Sequence, residues 1–133
     1  MIYWKATVDE VNIFLKSNDL LKAKQKVHAG LENFPNQLNL LTIARDVYHA
    51  CGDHNKSLEY AELLITHHPK KCNGYQRAAQ DLIALKRFDE AQQKINSGLE
   101  KIPNQVNLLM IANDLCRQSG DYQKALSYAE LLI

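Results

Sequence analysis

Gly-Leu-Glu-Asn-Phe-Pro-Asn-Gln at Gly30–Gln37 returns as Gly-Leu-Glu-Lys-Ile-Pro-Asn-Gln at Gly98–Gln105. Outward from these octapeptides, Ala23–Ile65 aligns without a gap to Ala91–Ile133, and 25 of the 43 pairs are identical. Such self-similarity means duplication of a 68-residue block. The block itself divides in two. The three prolines, Pro35, Pro69 and Pro103, recur with a 34-residue period, which marks stacked supersecondary units.

Within each 34-residue unit the apolar spacing is helical. Leu41, Ala44, Val47 and Tyr48 follow the pattern of one buried helix face, and Leu58, Ala61, Leu64 and Ile65 repeat it for a second helix. Gly52, between them, can end the first helix in a left-handed conformation. Pro69 stops the second, because it lacks an amide donor and restricts His68 before it. Asn36 and Asn104, each just after a proline, are the expected N-caps of the following helices. The pattern predicts helix, turn, helix, turn, four times over, with no alternation to suggest strands.

These residues resemble the tetratricopeptide repeat family. With the prolines at position 32 of its pattern, the units are 4–37, 38–71, 72–105 and an incomplete 106–133, one array over 1–133. Position 4 reads Thr7, Leu41, Tyr75 and Leu109; position 11 reads Phe14, Tyr48, Leu82 and Cys116; position 20 reads Ala23, Ser57, Ala91 and Ala125. The resemblance implies an all-α, right-handed α-solenoid of antiparallel helix pairs, about eight helices. Position 8 departs from the family's small residue, with Val11, Arg45, Ala79 and Asn113. Arg45 and Asn113 predict looser packing in the second and fourth units. Gly30 and Gly98 predict close helix approach, since a mid-helix glycine costs about 1 kcal/mol against alanine.

Composition removes several classes of function. The formal net charge is +1, from 16 Lys plus Arg against 15 Asp plus Glu, which supplies no field for nucleic acid. No run approaches the roughly 18 apolar residues of a membrane span. The N-terminal stretch lacks the basic start, apolar core and cleavage site of a secretory signal. Cys51, Cys72 and Cys116 are odd in number and lack metal-type spacing, which fits a reduced, cytoplasmic setting. Cys72 and Cys116 fall in apolar phase and are expected to pack rather than react. There is no phosphate loop, nucleophile elbow or His-Glu-x-x-His. His49 and His54 straddle a turn without a completed ligand set, and His67 and His68 precede Pro69 in a predicted loop. No enzyme activity, metal or cofactor is expected.

Binding has better support. The resemblance implies that the first helix of each unit lines a concave groove. There position 2 reads Lys5, Asn39, Asn73 and Asn107, and position 9 reads Asn12, Asp46, Gln80 and Asp114. Seven residues are almost two helical turns, so the two rows share a face about 10 Å apart. Carboxamides both donate and accept, matching the alternating groups of an extended peptide. Asparagines at position 2 equally suit the first helical turn, where short polar side chains satisfy free amides. Ile43, His49 and Arg77 complete the expected groove set. Family members that clamp acidic chaperone tails need five residues, for which this chain offers Val8, Asn12, Ile43, Asn73 and Arg77. Two match and both lysines are missing, so that role is disfavoured.

The fourth unit stops inside its second helix, where Ala129, Leu132 and Ile133 present an apolar face. Terminal units normally carry a polar outer surface. The expectation is a longer array, or a face covered by another molecule, including a further copy of the chain. The reading is a non-catalytic scaffold for an extended peptide or partner protein. Its alternatives are the accessory array of a larger enzyme, such as a bacterial glycosyl- or sulfo-transferase, and a homo-oligomerisation module.

Overall fold

A computed structural model describes residues 3–103 and 105–132. Among these, eight helices follow in order and no strand is present: α1 (Trp4–Lys16), α2 (Leu20–Asn33), α3 (Leu38–Ala50), α4 (His54–His67), α5 (Cys72–Ala84), α6 (Phe88–Lys101), α7 (Val106–Ser119) and α8 (Tyr122–Leu131). The 68-residue shift carries the bounds of α1 onto α5 and of α2 onto α6 without slack. None of these helices is long and apolar enough to cross a membrane.

The punctuation is as periodic as the helices. Asn18, Gly52, Lys86 and Gly120 recur in step with the repeat, and each has a positive φ between the two helices of its unit. The amide that follows each donates back to Phe14, Tyr48, Leu82 or Cys116 at 2.8–3.0 Å, closing a Schellman turn. Glycine serves in the even units, while Asn18 and Lys86 adopt the left-handed region in the odd ones. Asp19, Asp53 and Asp121 then cap α2, α4 and α8 through the amides of Lys22, Lys56 and Lys124. In the third unit Arg87 holds that place, and Asp89 and Glu90 in the first turn of α6 face its dipole instead.

Before each proline, Phe34, His68 and Ile102 leave the helical region, with ψ of 58–76°, and their amides donate to the carbonyls of Gly30, Leu64 and Gly98 at 2.8–2.9 Å. The caps of the following helices differ from expectation. Gln37, not Asn36, caps α3 by accepting from the Leu40 amide at 2.9 Å, and Gln105 caps α7 through the Asn107 amide. A glutamine one residue later reaches the free amides because the proline turn ends one residue further on. Asn104 lies outside the described residues.

The odd helices α1, α3, α5 and α7 contact one another in series, whereas the even helices touch only odd ones. The odd helices therefore form the inner layer of the solenoid. Val11, Ala23, Val27, Leu41, Ala44, Val47 and Leu64 make one apolar cluster, and Ala79, Leu82, Ala91, Ile95, Ala112 and Leu115 make a second. Gly30 and Gly98 are buried at close crossings, as the sequence predicts: a Cβ on Gly98 would lie 2.9 Å from Leu108 and 3.0 Å from Tyr75.

Candidate functional site

The expectation of loose packing at Arg45 is overturned. Arg45 is 4 % exposed and Asn113 is likewise buried, its Nδ2 donating to the Ala125 carbonyl at 2.9 Å. A cation can enter a helix crossing when an anion meets it there. Asp81 on α5, with no exposed surface, does this for Arg45. Arg45 Nε donates to Asp81 Oδ2 at 3.1 Å and Nη2 to Oδ1 at 2.9 Å, a two-pronged fit of guanidinium to carboxylate.

Three more groups converge on the same carboxylate. Ser57 Oγ on α4 donates to Asp81 Oδ2 at 2.7 Å. His49 Nδ1 lies 3.1 Å from Oδ1 and 3.3 Å from Arg45 Nη2. His54 Nδ1 is buried without a partner, 3.8 Å from that oxygen. The inner-layer side of the same guanidinium extends the network. Arg45 Nη1 donates to Asp46 Oδ1 at 3.0 Å, Arg77 Nε donates to that oxygen at 3.1 Å, and Gln80 Oε1 accepts from Arg45 Nη2 at 3.4 Å. Two arginines thus balance two aspartates across the joint between α3 and α5.

The ligating atoms of His49, His54 and Asp81 lie within 4.8 Å of one another. The donor set suits a cation poorly, because the Arg45 charge already rests on both Asp81 oxygens. The arrangement is a closed ion pair.

Of the groove residues expected from sequence, the structure brings Asp46, His49, Arg77 and Gln80 together in this network. Ile43 is a correction. At 5 % exposure it belongs to the first apolar cluster and offers nothing to a ligand. Asn73 is half-buried, and its Nδ2 donates to Thr42 Oγ1 across the α3–α5 joint at 3.4 Å. Asn12, Asn39, Asn107 and Asp114 stand exposed on the inner-layer helices, away from that network. Asp114 joins Met110, Asn113, Arg117, Ala129 and Leu132 around one open concavity, which unites the groove expectation with the C-terminal apolar one. Ile133 lies outside the described residues.

Sequence reasoning missed Asp81 and Ser57. A signal was present: Asp81 follows Arg45 by one repeat plus two positions, which puts them on facing sides of neighbouring units. The thiols divide by depth. Cys116 is buried and Cys51 and Cys72 partly so; burial, helped by Asp121, pushes the Cys116 thiol above its ordinary pKa. In the native protein an aromatic disulfide reagent is expected to titrate Cys51 and Cys72 first, and Cys116 only on unfolding. Early modification of Cys116 would show that its crossing opens readily.

No protein-family model matches the chain, and no curated protein matches it. Solved structures do. A tetratricopeptide repeat protein from Parabacteroides merdae superposes with a TM-score of 0.85 at 18 % identity, over 98 % of this chain and 51 % of that one. A thermophilic protein of the same repeat type from Thermus thermophilus gives 0.84 at 15 % identity, over 98 % and 73 %. The Sgt2 tetratricopeptide domain from Aspergillus fumigatus gives 0.79 at 20 % identity, over 91 % and 82 %. The fold is that of tetratricopeptide repeat proteins, an all-α solenoid.

Proposed function

We propose that the chain is a non-catalytic scaffold that holds an extended peptide, or an extended segment of a partner protein, along the inner layer of odd helices. The observation that carries this reading is the recurrence, at multiples of 34 residues, of exposed polar side chains on that layer: Asn39 and Asn107 in one row, Asn12 and Asp114 in the other. A preformed surface of this kind spares the scaffold's own ordering cost, but a short peptide buries little area, so micromolar affinity is expected. The likeness to scaffold-type repeat structures supports the same reading at the level of fold.

The polar network divides the groove residues into two kinds. Asp46 and Gln80 are engaged with Arg45, and Arg77 with Asp46, so their replacement disturbs the array as well as any ligand. Asn39 and Asp114 are free of that duty. The test therefore pans a random peptide library against the chain and maps selected peptides by amide chemical shifts. Shifts along α1, α3, α5 and α7 are expected. Asn39→Ala with Asp114→Ala should weaken binding about tenfold, as two lost hydrogen bonds would, with the melting temperature unchanged. Shifts confined to α2, α4, α6 and α8 would remove the groove from consideration.

A further inference from the structure

A cleft between α7 and α8 is lined by Asn113, Arg117, Tyr122, Ala125, Leu126 and Ala129. Each is the counterpart, one 68-residue block on, of a residue on the α3–α4 face that receives α5: Arg45, His49, His54, Ser57, Leu58 and Ala61. Four of those six surround Asp81, while Leu58 packs against the second apolar cluster and Ala61 is wholly buried. The cleft is thus the duplicate of the socket that holds Asp81, without an occupant among the described residues.

The counterpart of Asp81 one block earlier is Ile13 on α1, and it is 63 % exposed. Socket and occupant have changed in concert. Where Asp81 is met by Arg45, His49, His54 and Ser57, the duplicate socket offers Asn113, Arg117, Tyr122 and Ala125. The buried guanidinium and the serine hydroxyl are gone, Arg117 stands exposed, and Tyr122, Ala125 and Leu126 supply apolar contact for an aliphatic side chain. Leu126 and Tyr122 beside it are 62 % and 71 % exposed, large apolar areas for a surface helix. Charge agrees as well. Lys94 on α6 pairs with Glu62 on α4 at 2.9 Å across the internal joint. Their counterparts, Lys26 on α2 and Glu130 on α8, are both exposed.

We propose that the α7–α8 cleft receives α1 of a second copy of this chain, with Ile13 in the place of Asp81 and Lys26 beside Glu130, reproducing the α4–α5 joint between molecules. Because the two faces differ, the contact is head-to-tail and leaves a free face at each end, so assembly runs on past the dimer. Two residues make this joint weaker than the internal one. Ala6 stands in the place of Gly74, where a Cβ would lie 2.8 Å from the Ile65 backbone nitrogen, so the helices must sit slightly further apart. Glu10, whose carboxylate lies 3.3 Å from Lys26 Nζ, stands in the place of the buried Ala78. The association uses the end faces, so it stands or falls separately from peptide binding on the inner layer.

Sedimentation velocity of the chain, at concentrations up to about 1 mM, tests this. The expected result is a mean mass that climbs beyond the dimer. Ile13→Lys, which would face Arg117, and Leu126→Glu should each weaken association at least about tenfold without altering the helical circular dichroism, since both side chains are exposed. Mixed together, the two variants should form a 1:1 dimer and stop, because Ile13→Lys retains the cleft and Leu126→Glu retains α1. Glu10→Ala should tighten association. A wild-type chain that stays monomeric overturns the proposal. So does an oligomer indifferent to these substitutions, or a mixture that remains monomeric.

Discussion

Arg45→Met is expected to cost about 3–5 kcal/mol, because it strands the Asp81 carboxylate in a fully buried position. That is a large share of the roughly 5–15 kcal/mol that usually separates a folded domain from its unfolded chain. Ser57 and His49 remain beside Asp81, but neither replaces a guanidinium that satisfies both oxygens at 2.9 and 3.1 Å. The effect should also have a shape. The network lies where α3 and α4 of the second unit meet α5 of the third, with one apolar cluster in each half of the chain. Solenoid stability is nearly a sum of unit terms and nearest-neighbour joints. Weakening this joint should therefore split a single melting transition into two. Arg45→Met with Asp81→Leu and Ser57→Ala should recover most of the loss, since a buried ion pair is seldom worth more than apolar residues of like volume. A single variant that melts in one step, within about 1 kcal/mol of the parent, would show that the carboxylate finds another partner or water.

The same joint marks the limit of what could be read from sequence. The periodic prolines and the apolar spacing of Leu41, Ala44, Val47 and Tyr48 are local signals, and all four of those apolar residues are buried. Gly30, Gly98 and Gly52 were legible for a similar reason: a glycine inside or just after a helix has few uses there. Arg45 invited the opposite inference, because its burial depends on an acid one repeat away that no local pattern connects to it. Asp81 has no exposure and Asp114 is exposed, though both are plain aspartates on inner-layer helices. They differ by one position of the repeat, Asp114 at position 9 and Asp81 at position 10, and that step of helical phase turns Asp81 toward Ser57 on α4. Ile43 fell to the same cause, since one residue of helical phase separates the inner-layer surface from the core.

Gly74→Ala should destabilise the protein by about 1–3 kcal/mol, the usual cost of overpacking, against the normal expectation for a glycine inside a helix. Alanine gains up to about 1 kcal/mol in helix propensity, yet a Cβ here would lie 2.8 Å from the Ile65 backbone nitrogen and 2.9 Å from Leu64 Cβ. Neither atom can rotate away; α4 and α5 must move apart. Gly30→Ala is the control. Its new methyl would meet Thr7 Cγ2 at 2.8 Å and Leu40 Cδ2 at 3.2 Å, both ends of side chains that can turn. There propensity should offset crowding and leave the urea midpoint nearly unmoved. Gly98→Ala belongs between them, since Leu108 Cδ1 can yield while the Tyr75 Cβ and ring carbon, both 3.0 Å away, cannot. The order Gly74, Gly98, Gly30 in loss of midpoint follows from how little the atoms that each methyl meets can move. Equal losses at Gly74 and Gly30 would mean that α4 and α5 have slack between them. The ion pair of Arg45 and Asp81 would then tolerate a wider joint than its 2.9 Å contact implies.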